Sequence, residues 1–495
     1  MQRMVVVNII CARPGMDIHG FRKDLHLRAT LVYPNYGSGK RSRYFPFGLA
    51  YVAAVLRHGG VDVSVVDMEG DDLTVENAVE RVVSTDPDLV GFGGMVTRYR
   101  IVRELGTRLR ELLPDVLMVA GNSGASTVPE LYLERCGLDA VVLGEGEATA
   151  RELADTVSSR GEWRNVPGLA FLDGGKMVLS APRPLLEDLD SLPHPAWDLF
   201  PVENYVRSMD HRQKTQPHME VVASRGCPYS CVYCYHIYGR KVRRRSPASI
   251  VEEIEELVER YGIEYTGFPD DLFTSDREFV METCRLLRKR LPRIRWSCIG
   301  RVNLVDPEML EEMRRAGCDW ISYGIESGSD RMLSRMKRMV TAEDCLRGIR
   351  MTRQAGIHPE GSFIIGMFGE TRETVRETVE FCRKADITAP MLYVTPYPGT
   401  EIFREAVDAG LIPDVEAFLE RMNAADELLV NLTDMPDHEL RRLKEWAQGR
   451  IGRNYLMRKP LTRIPGLLWK HLVLRGPVGL ARDIRELALG LFRRR

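Results

Sequence analysis

The stretch Ser224-Arg225-Gly226-Cys227-Pro228-Tyr229-Ser230-Cys231-Val232-Tyr233-Cys234 decides how the chain is interpreted, because it places three thiols within one short segment. The spacing is C-x3-C-x2-C, and an aromatic residue, Tyr233, comes directly before the third cysteine. Three thiolates at this spacing can ligate three irons of one cubane iron–sulfur cluster. The fourth iron then lacks a protein ligand and is open to a small molecule. A site of this kind suits the binding and reduction of a cosubstrate, whereas a site with four cysteines suits electron storage.

Zinc is the alternative metal for these thiols, with His236 as the fourth ligand beside Cys227, Cys231 and Cys234. Structural zinc sites usually combine pairs of ligands from two separate segments. The sequence has no second C-x2-C pair elsewhere. The spacing therefore favours an iron–sulfur cluster.

The composition is that of a globular protein with two to four domains. The 495 residues are 44% hydrophobic and 28% charged, and the formal net charge is -1. This balance argues against a protein that coats nucleic acid. No apolar run reaches the roughly 18 residues that span a bilayer, and residues 1–28, an N-terminal extension, lack a secretory pattern. We therefore expect a cytoplasmic protein.

Residues 216–412 show six repeats of a strand followed by a helix. Such repeats predict an incomplete (β/α)6 barrel of the TIM type, in which the chemistry lies on loops after the strands. The predicted strands are Glu220–Ala223, Glu264–Phe268, Arg295–Ile299, Trp320–Ile325, Gly361–Ile365 and Met391–Thr395.

Polar residues and glycine follow these strands. The candidates for binding a ligand are Asp270, Asp271, Arg301, Glu326, Ser327 and Gly366. A carboxylate such as Glu326 can hold ribose hydroxyls or an ammonium group, although an N-cap interaction with the next helix is an alternative. Turn formation before Phe273–Ser275 is the alternative for the two aspartates.

Residues 29–160 alternate strands and helices, which predicts a Rossmann-like parallel sheet with helices on both faces. Ligands bind such sheets at the carboxyl ends of the strands. Glycines cluster at these ends, namely Gly93, Gly94, Gly121, Gly144 and Gly146. They allow a large flat or phosphorylated ligand to approach the backbone closely, although each glycine alone is also a common turn residue.

Two further segments complete the organisation. Residues 161–215 are rich in proline and are predicted to be an extended linker that wraps a surface. Residues 413–495 are predicted to be helical, and their last part is basic with apolar residues at helical spacing: Leu480, Ile484, Leu487 and Leu491. We expect this last helix to pack on the barrel with a solvated basic face. Contact with a membrane surface or an anionic partner is the alternative.

The second block resembles the radical S-adenosylmethionine enzymes. The resemblance rests on the cysteine stretch and on Phe268-Pro269-Asp270-Asp271, Gly324-Ile325-Glu326-Ser327-Gly328-Ser329, Gly361 to Gly366 and Pro396-Tyr397-Pro398-Gly399-Thr400. It implies that Cys227, Cys231 and Cys234 ligate a [4Fe-4S] cluster, and that S-adenosyl-L-methionine chelates the open iron. It also implies that the two aspartates lie near the methionyl amino group and that the Gly366 segment packs against adenine.

The first block resembles the cobalamin-binding domain found in one subclass of that family. The resemblance rests on Tyr33-Pro34, Pro46-Phe47-Gly48-Leu49, Asp86 to Gly91, Pro129-Glu130 and Gly144-Glu145-Gly146-Glu147. It implies that Gly121, Gly144, Glu145 and Gly146 contact cobalamin. The motif Asp-x-His-x-x-Gly is absent, because Asp17-Ile18-His19 is followed by Arg22. We therefore expect the lower face of cobalt to meet water or a side chain from Met95, Thr97 and Arg98.

Together the two resemblances imply a cobalamin-dependent radical enzyme, most like the methyltransferase members. Such an enzyme moves a methyl group from S-adenosylmethionine through methylcobalamin to an unactivated carbon, or to a phosphinate phosphorus, of a small-molecule natural product. A non-methylating oxidative cyclase or a ring-rearranging enzyme is the alternative, and a cobalamin sensor or carrier is less favoured. The resemblance also implies an external electron donor such as flavodoxin or ferredoxin, and no nucleic-acid partner.

Overall fold

The protein consists of two consecutive α/β domains followed by helices, as described by a computed structural model for residues 27–35, 43–207, 216–388, 390–422 and 427–458. The N-terminal extension up to residue 26 and the basic segment at Leu480–Leu491 lie outside the described residues. Among the described helices, none combines the length and the apolar character needed to cross a membrane.

The first domain is built on a twisted sheet whose described strands have the order β2-β1-β3-β4-β5-β6-β7. Strands β1 to β5 are parallel, and β6 and β7 are antiparallel. The strands are β1 (Arg28–Tyr33), β2 (Asp62–Asp67), β3 (Leu89–Phe92), β4 (Leu117–Ala120), β5 (Ala140–Val142), β6 (Leu169–Asp173) and β7 (Lys176–Leu179).

Helices cover both faces of the sheet. The residues of its central strands are therefore buried on both sides and apolar throughout. All four residues of β3 are buried, as is typical of a parallel strand with helices on both faces. The helices of this domain are Phe47–His58, Val75–Ser84, Tyr99–Leu112, Asn122–Thr127, Pro129–Arg135 and Glu147–Ser158. The predicted Rossmann-like architecture is confirmed.

The segment predicted as an extended linker contributes β6 and β7 to this sheet. The two strands form a hairpin whose turn contains Gly174 and Gly175, both with positive φ. A Gly-Gly pair between short strands is a hairpin signal, because both turn residues need left-handed backbone. The rest of the segment packs on both domains: Trp197 is fully buried against Phe45 of the first, and His194 lies 3.3 Å from Glu256 of the second.

The second domain contains six parallel strands in the described residues, in the order β15-β14-β13-β12-β11-β8. No described strand joins β15 to β8, so the barrel is incomplete, as predicted. The strands are β8 (His218–Glu220), β11 (Tyr265–Phe268), β12 (Arg295–Gly300), β13 (Cys318–Glu326), β14 (His358–Ile365) and β15 (Met391–Tyr393). A separate antiparallel ribbon is formed by β9 (Ser224–Arg225) and β10 (Arg243–Arg244).

The helices of the second domain lie on the outer face of the sheet. The first one runs from Pro247 to Tyr261. The Ser246 side chain caps its start, and Gly262 after its end adopts a left-handed conformation. The others are Arg277–Arg290, Pro307–Arg315, Asp330–Arg335, Ala342–Gln354 and Arg372–Ala385.

Further helices lie in the linker and after the barrel: Val202–Val206, Glu401–Asp408, Val415–Arg421 and Asp437–Arg458. The last of them packs along the helix Arg372–Ala385, where Arg372 pairs with Glu439 at 2.7 Å. The Lys444 ammonium of the same helix lies 3.8 Å from the ring centre of Tyr393 on β15. This helix therefore covers the β15 edge of the incomplete barrel.

Candidate active site between the two domains

The cysteine loop is held at its base by the ribbon β9–β10. Arg225 pairs with Arg243 in the ladder, so the segment between them forms a closed loop directly after the first barrel strand. Gly226 begins this loop with a φ of 94°. A Cβ atom at this position would lie 2.3 Å from the carbonyl oxygen of Lys241, so only glycine fits.

The three thiols of the loop lie close together in a region of positive charge. The Cys231 sulfur is buried and lies 3.5 Å from the Arg338 guanidinium. Its hydrogen bond with Cys234 lowers the pKa of Cys231 most, burial opposes this effect, and Arg338 lowers the pKa further. Burial raises the pKa of Cys227. Since metals bind the thiolate form, Arg338 favours the state of Cys231 that a metal requires.

His236, the fourth ligand of the zinc alternative, is engaged elsewhere. Its Nε2 atom lies 2.7 Å from the carbonyl oxygen of Tyr229, within the same loop. Among the described residues, no group of three His, Cys, Asp or Glu side chains surrounds a common point suited to a single metal ion. In a cubane cluster each thiolate binds a different iron. The donor set of three cysteines beside a guanidinium fits such a cluster.

Arg301, directly after β12, packs over the cysteine loop. Its guanidinium lies 3.5 Å from the ring centre of Tyr229, and its Nε donates to Asn303 at 2.9 Å. Arg301 also donates to the backbone carbonyl of Arg338. Burial, with the nearby Arg338, lowers the pKa of Arg301.

Arg338 was missed by the sequence reasoning. It lies between Lys337 and Met339, which both have positive φ, in the turn after the helix Asp330–Arg335. Its guanidinium also donates to the carbonyl oxygen of Gly324 at the end of β13. No motif singles out this arginine, because only the fold brings its turn over the cysteine loop.

The two predicted aspartates have different surroundings. Asp270 is 4% exposed, and one carboxylate oxygen accepts the backbone N–H groups of Ala223 and Ser224. Its other oxygen is buried and has no hydrogen-bond partner in the described part of the chain. Burial raises the pKa of Asp270 to about 7. Asp270 thus fixes the strand that enters the cysteine loop, whereas Asp271 is exposed beside it.

Glu326 ends β13 in a left-handed conformation, with a φ of 68°. Its carboxylate folds back over Gly324, and burial raises the pKa of Glu326 while Arg338 opposes this effect. The N-cap position of the next helix is Ser329, so the N-cap alternative for Glu326 is wrong. Tyr233 lies close to Glu326, and burial raises the pKa of its hydroxyl.

Ser327 and Gly366 shape the neighbouring loops. The Ser327 hydroxyl lies 3.2 Å from that of Thr378 and accepts the backbone N–H of Ser329. The Gly366 N–H donates to the Glu370 carboxylate at 3.1 Å. These contacts hold the loops after β13 and β14 in place. Contacts of Ser327 and Gly366 with a cofactor remain predictions.

The residues predicted below cobalt follow β3 and differ in orientation. Met95 is 47% exposed. The Thr97 hydroxyl is buried without a hydrogen-bond partner among the described residues. Arg98 is 1% exposed; its guanidinium donates to Glu69 at 3.2 Å and to the Tyr33 hydroxyl at 2.9 Å. The structure therefore favours Met95 and Thr97 over Arg98 as residues that face a ligand.

The glycine-rich ends of β4 and β5 lie beside these residues in the sheet. The Gly144 N–H donates to the Ser126 hydroxyl at 3.1 Å, and Gly146 precedes the helix Glu147–Ser158. Glu145, however, is directed at the second domain, where it pairs with Arg225 and Arg243. Its carboxylate is fully engaged in joining the domains. The unpartnered Thr97 hydroxyl and the open glycine loops fit a large ligand at this edge.

The cysteine loop and the first domain are adjacent at Gly399 and are joined at the base of the loop by the ion pairs of Glu145 with Arg225 and Arg243. A Cβ atom added at Gly399, after β15, would lie 2.7 Å from Tyr235 of the cysteine loop and 2.8 Å from Thr127 of the first domain, so both side chains pack beside this glycine. A Rossmann-like domain whose ligand edge contacts a three-cysteine loop on an incomplete barrel defines a two-cofactor radical enzyme.

Comparisons with known proteins agree with this class. Residues 221–382 match the Radical SAM superfamily, and residues 41–154 match the B12 binding domain. An uncharacterized methyltransferase of Pyrococcus horikoshii is 33% identical over 371 residues, which are 74% of this chain and 79% of that protein. The chain therefore belongs to the cobalamin-dependent radical S-adenosylmethionine enzymes, and its cofactors are a [4Fe-4S] cluster, S-adenosylmethionine and cobalamin.

Other relatives include both reaction types that the sequence left open. An anaerobic magnesium-protoporphyrin IX monomethyl ester cyclase of Rubrivivax gelatinosus is 31% identical and covers 79% of this chain and 72% of its own. The cytidylyl-2-hydroxyethylphosphonate methyltransferase of Streptomyces wedmorensis is 27% identical and covers 86% and 88%. The structure of TsrM, a radical methyltransferase of Kitasatospora setae with cobalamin and a [4Fe-4S] cluster bound, has a TM-score of 0.65 at 23% identity and covers 78% of both chains.

Proposed function

We propose that this enzyme transfers a methyl group from S-adenosylmethionine through cobalamin to an unactivated carbon, or to a phosphinate phosphorus, of a small natural product. The proposal is carried by the closeness of the cysteine loop to the ligand edge of the B12-binding domain. Tyr235 of the loop and Thr127 of that domain both pack beside Gly399, so a substrate between the two sites is within reach of both. Holding two reactive groups and a substrate in one geometry is the main task of such a protein.

In this proposal Cys227, Cys231 and Cys234 hold the cluster, and Arg338 and Arg301 supply positive charge beside it. When bound, the cluster supplies the electron that cleaves S-adenosylmethionine, and cobalamin carries the methyl group. The buried side chains contribute by orienting the loops, since hydrogen bonds fixed before the reaction need no reorganisation during it.

The polar residues at the barrel strand ends form the S-adenosylmethionine site of the proposal. Asp271 and Glu326 offer carboxylates to the methionyl amino group and the ribose hydroxyls. Asp270 keeps the entrance of the cysteine loop in place through the N–H groups of Ala223 and Ser224. Its unpartnered oxygen accepts a further donor from the ligand.

For cobalamin, we assign the contacts to Met95, Thr97, Gly121, Gly144 and Gly146. Three further residues position the segment after β3 without contacting the ligand: Arg98, Glu69 and Tyr33. An electron donor such as flavodoxin or ferredoxin reduces the cluster. We place the reaction in the cytoplasm, where free thiols stay reduced.

The test is an anaerobic assay of the protein reconstituted with iron, sulfide and cobalamin, with S-adenosylmethionine and a reductant added. Mass spectrometry should find both S-adenosylhomocysteine and 5'-deoxyadenosine, because each product reports one of the two uses of the cosubstrate. Replacing the three loop cysteines with alanine should abolish 5'-deoxyadenosine, whereas Cys382→Ala, a cysteine on an outer helix, should retain it. Persistent 5'-deoxyadenosine in the triple variant would refute the assignment of the cluster.

The cyclase is the second candidate, and the relative from Rubrivivax gelatinosus favours it by sequence. A cyclase of this family uses the radical but does not consume S-adenosylmethionine as a methyl donor. 5'-Deoxyadenosine without S-adenosylhomocysteine would therefore replace the methyltransferase with this alternative.

A further inference from the structure

A buried network of four charged side chains joins the B12-binding domain to the base of the cysteine loop. The Arg225 guanidinium lies 3.0 Å from Glu145 and 2.6 Å from Glu147. The Arg243 guanidinium lies 2.8 Å from Glu145. None of the four side chains is more than 7% exposed. Removing one partner of a pair this deeply buried strongly destabilises the folded protein, because the remaining charge is left without compensation.

The charges of this network are divided between the two domains. Glu145 and Glu147 belong to the first domain, and Arg225 and Arg243 belong to the ribbon β9–β10 of the second. The network is neutral only when the domains are together. Burial raises the pKa of Glu145, but Arg243, the Leu186 N–H and Arg225 outweigh it and lower the pKa overall. Glu145 is thus ionised, and separating the domains would expose two like charges on each side.

The network also connects, through ion pairs, the two loops that carry the proposed cofactor sites. Glu145 stands between Gly144 and Gly146 at the ligand edge of the first sheet, and Arg225 comes two residues before Cys227. The rings of Tyr51, from the first domain, and Tyr238, from the cysteine loop, each lie 5.3 Å from the Arg225 guanidinium. A shift of the Gly144–Gly146 loop must therefore displace the cysteine loop, and the reverse.

We propose that Glu145, Glu147, Arg225 and Arg243 couple the two sites, so that cluster binding to the cysteine loop tightens cobalamin binding. Coupling between two sites is reciprocal, so cobalamin stabilises the cluster by the same factor. The four residues are positioning residues that act through the two loops. The inference rests on the cofactors of the family and not on the methyl transfer proposed above.

The experiment compares the Kd for hydroxocobalamin of cluster-loaded and iron-free protein by anaerobic equilibrium dialysis. In the wild type, the cluster-loaded form should bind at least about fivefold more tightly, the lower end of typical coupling. In Glu145→Gln this ratio should fall close to one. The matched control is Glu152→Gln, which breaks an ion pair with Arg183 at 2.5 Å that does not reach the second domain; it should keep the wild-type ratio.

A direct contact between Glu145 and cobalamin gives a different result. It would weaken both forms equally in Glu145→Gln and leave the ratio unchanged, which would overturn the proposal. Equal Kd values of the two wild-type forms would overturn it as well. If circular dichroism shows that Glu145→Gln does not fold, Arg243→Lys replaces it. Lysine keeps the charge but loses the planar guanidinium that donates to Glu145, the Leu186 carbonyl and the Tyr238 carbonyl together, so the ratio should also fall in this variant. The ratio is read without turnover, so an inactive methylation assay would not affect it.

Discussion

The Arg338 guanidinium lies 3.5 Å from the Cys231 sulfur, although the two residues are 107 positions apart in the chain. The contact places a fixed positive charge, from the turn that follows the helix Asp330–Arg335, against the middle thiol of the cysteine loop. The same guanidinium donates to the carbonyl of Gly324, so its position is set by the end of β13. The barrel thereby prepares one thiol for metal binding before any metal arrives.

Replacing Arg338 with methionine should raise the pKa of Cys231, because the neighbouring cation that lowers it is removed while the bulk of the side chain is kept. The pH midpoint for alkylation of Cys231 by iodoacetamide in iron-free protein should move upward, as followed by peptide mass spectrometry. The control is Arg335→Met, which removes an arginine of the same region that pairs with Glu405 instead. An unchanged midpoint in Arg338→Met would show that the cation does not act on the thiol.

Replacing Gly226 with alanine should prevent closure of the cysteine loop. The added Cβ would lie 2.3 Å from the Lys241 carbonyl oxygen, and the φ of 94° is unfavourable for alanine. We expect iron content after reconstitution to fall by more than half while circular dichroism is retained. The control is Gly262→Ala, which also has positive φ but no atom within 4 Å of the added Cβ. Equal iron content in both variants would contradict this prediction.

Glu370 should make the unfolding temperature depend on pH, because burial raises the pKa of its carboxyl from 4.5 to about 7. A carboxyl with a raised pKa in the folded state favours folding below its unfolded pKa, and this contribution is lost as the pH rises through 7. The loss is at most about 3 kcal/mol for a shift of this size. Glu370→Gln, which stays neutral, should therefore gain in unfolding temperature over the wild type between pH 5 and pH 8.

Calorimetry across this range checks the sign of the effect. Glu377→Gln is the control, since Glu377 is exposed on the adjoining helix Arg372–Ala385. A difference between Glu370→Gln and the wild type that stays constant with pH would show that Glu370 does not titrate in this range.

Replacing Met95 with histidine should supply a ligand to cobalt, because Met95 is the exposed side chain of the segment after β3. Electron paramagnetic resonance of the bound, one-electron-reduced cobalamin should then show nitrogen splitting that the wild type lacks. Met177→His, at an exposed position on β7, should give the wild-type spectrum. Absence of nitrogen splitting in Met95→His would show that residue 95 does not face the lower side of cobalt.

Much of the fold was predictable because local patterns agree with it. The helix Val75–Ser84 follows from local signals, since Thr74 caps it and its apolar positions follow the helical period. The sequence analysis missed the β6–β7 hairpin because the prolines of residues 161–215 favour an extended linker. The pair Gly174-Gly175 is a hairpin signal that could have identified it. The resemblance to cobalamin-binding domains predicts a contact of Glu145 with cobalamin, whereas its pairing with Arg225 depends on a strand of another domain.

Spacing along the chain is enough to identify the order of the two domains and the triad Cys227, Cys231 and Cys234. The partners of the buried charges, in contrast, depend on the fold: Arg338 lies beside Cys231, Arg98 beside Glu69, and Arg225 beside Glu147. The physical reason is that hydrophobic periodicity records burial but not the identity of a neighbour. A buried charge is stabilised by whichever opposite charge the fold brings within a few ångströms.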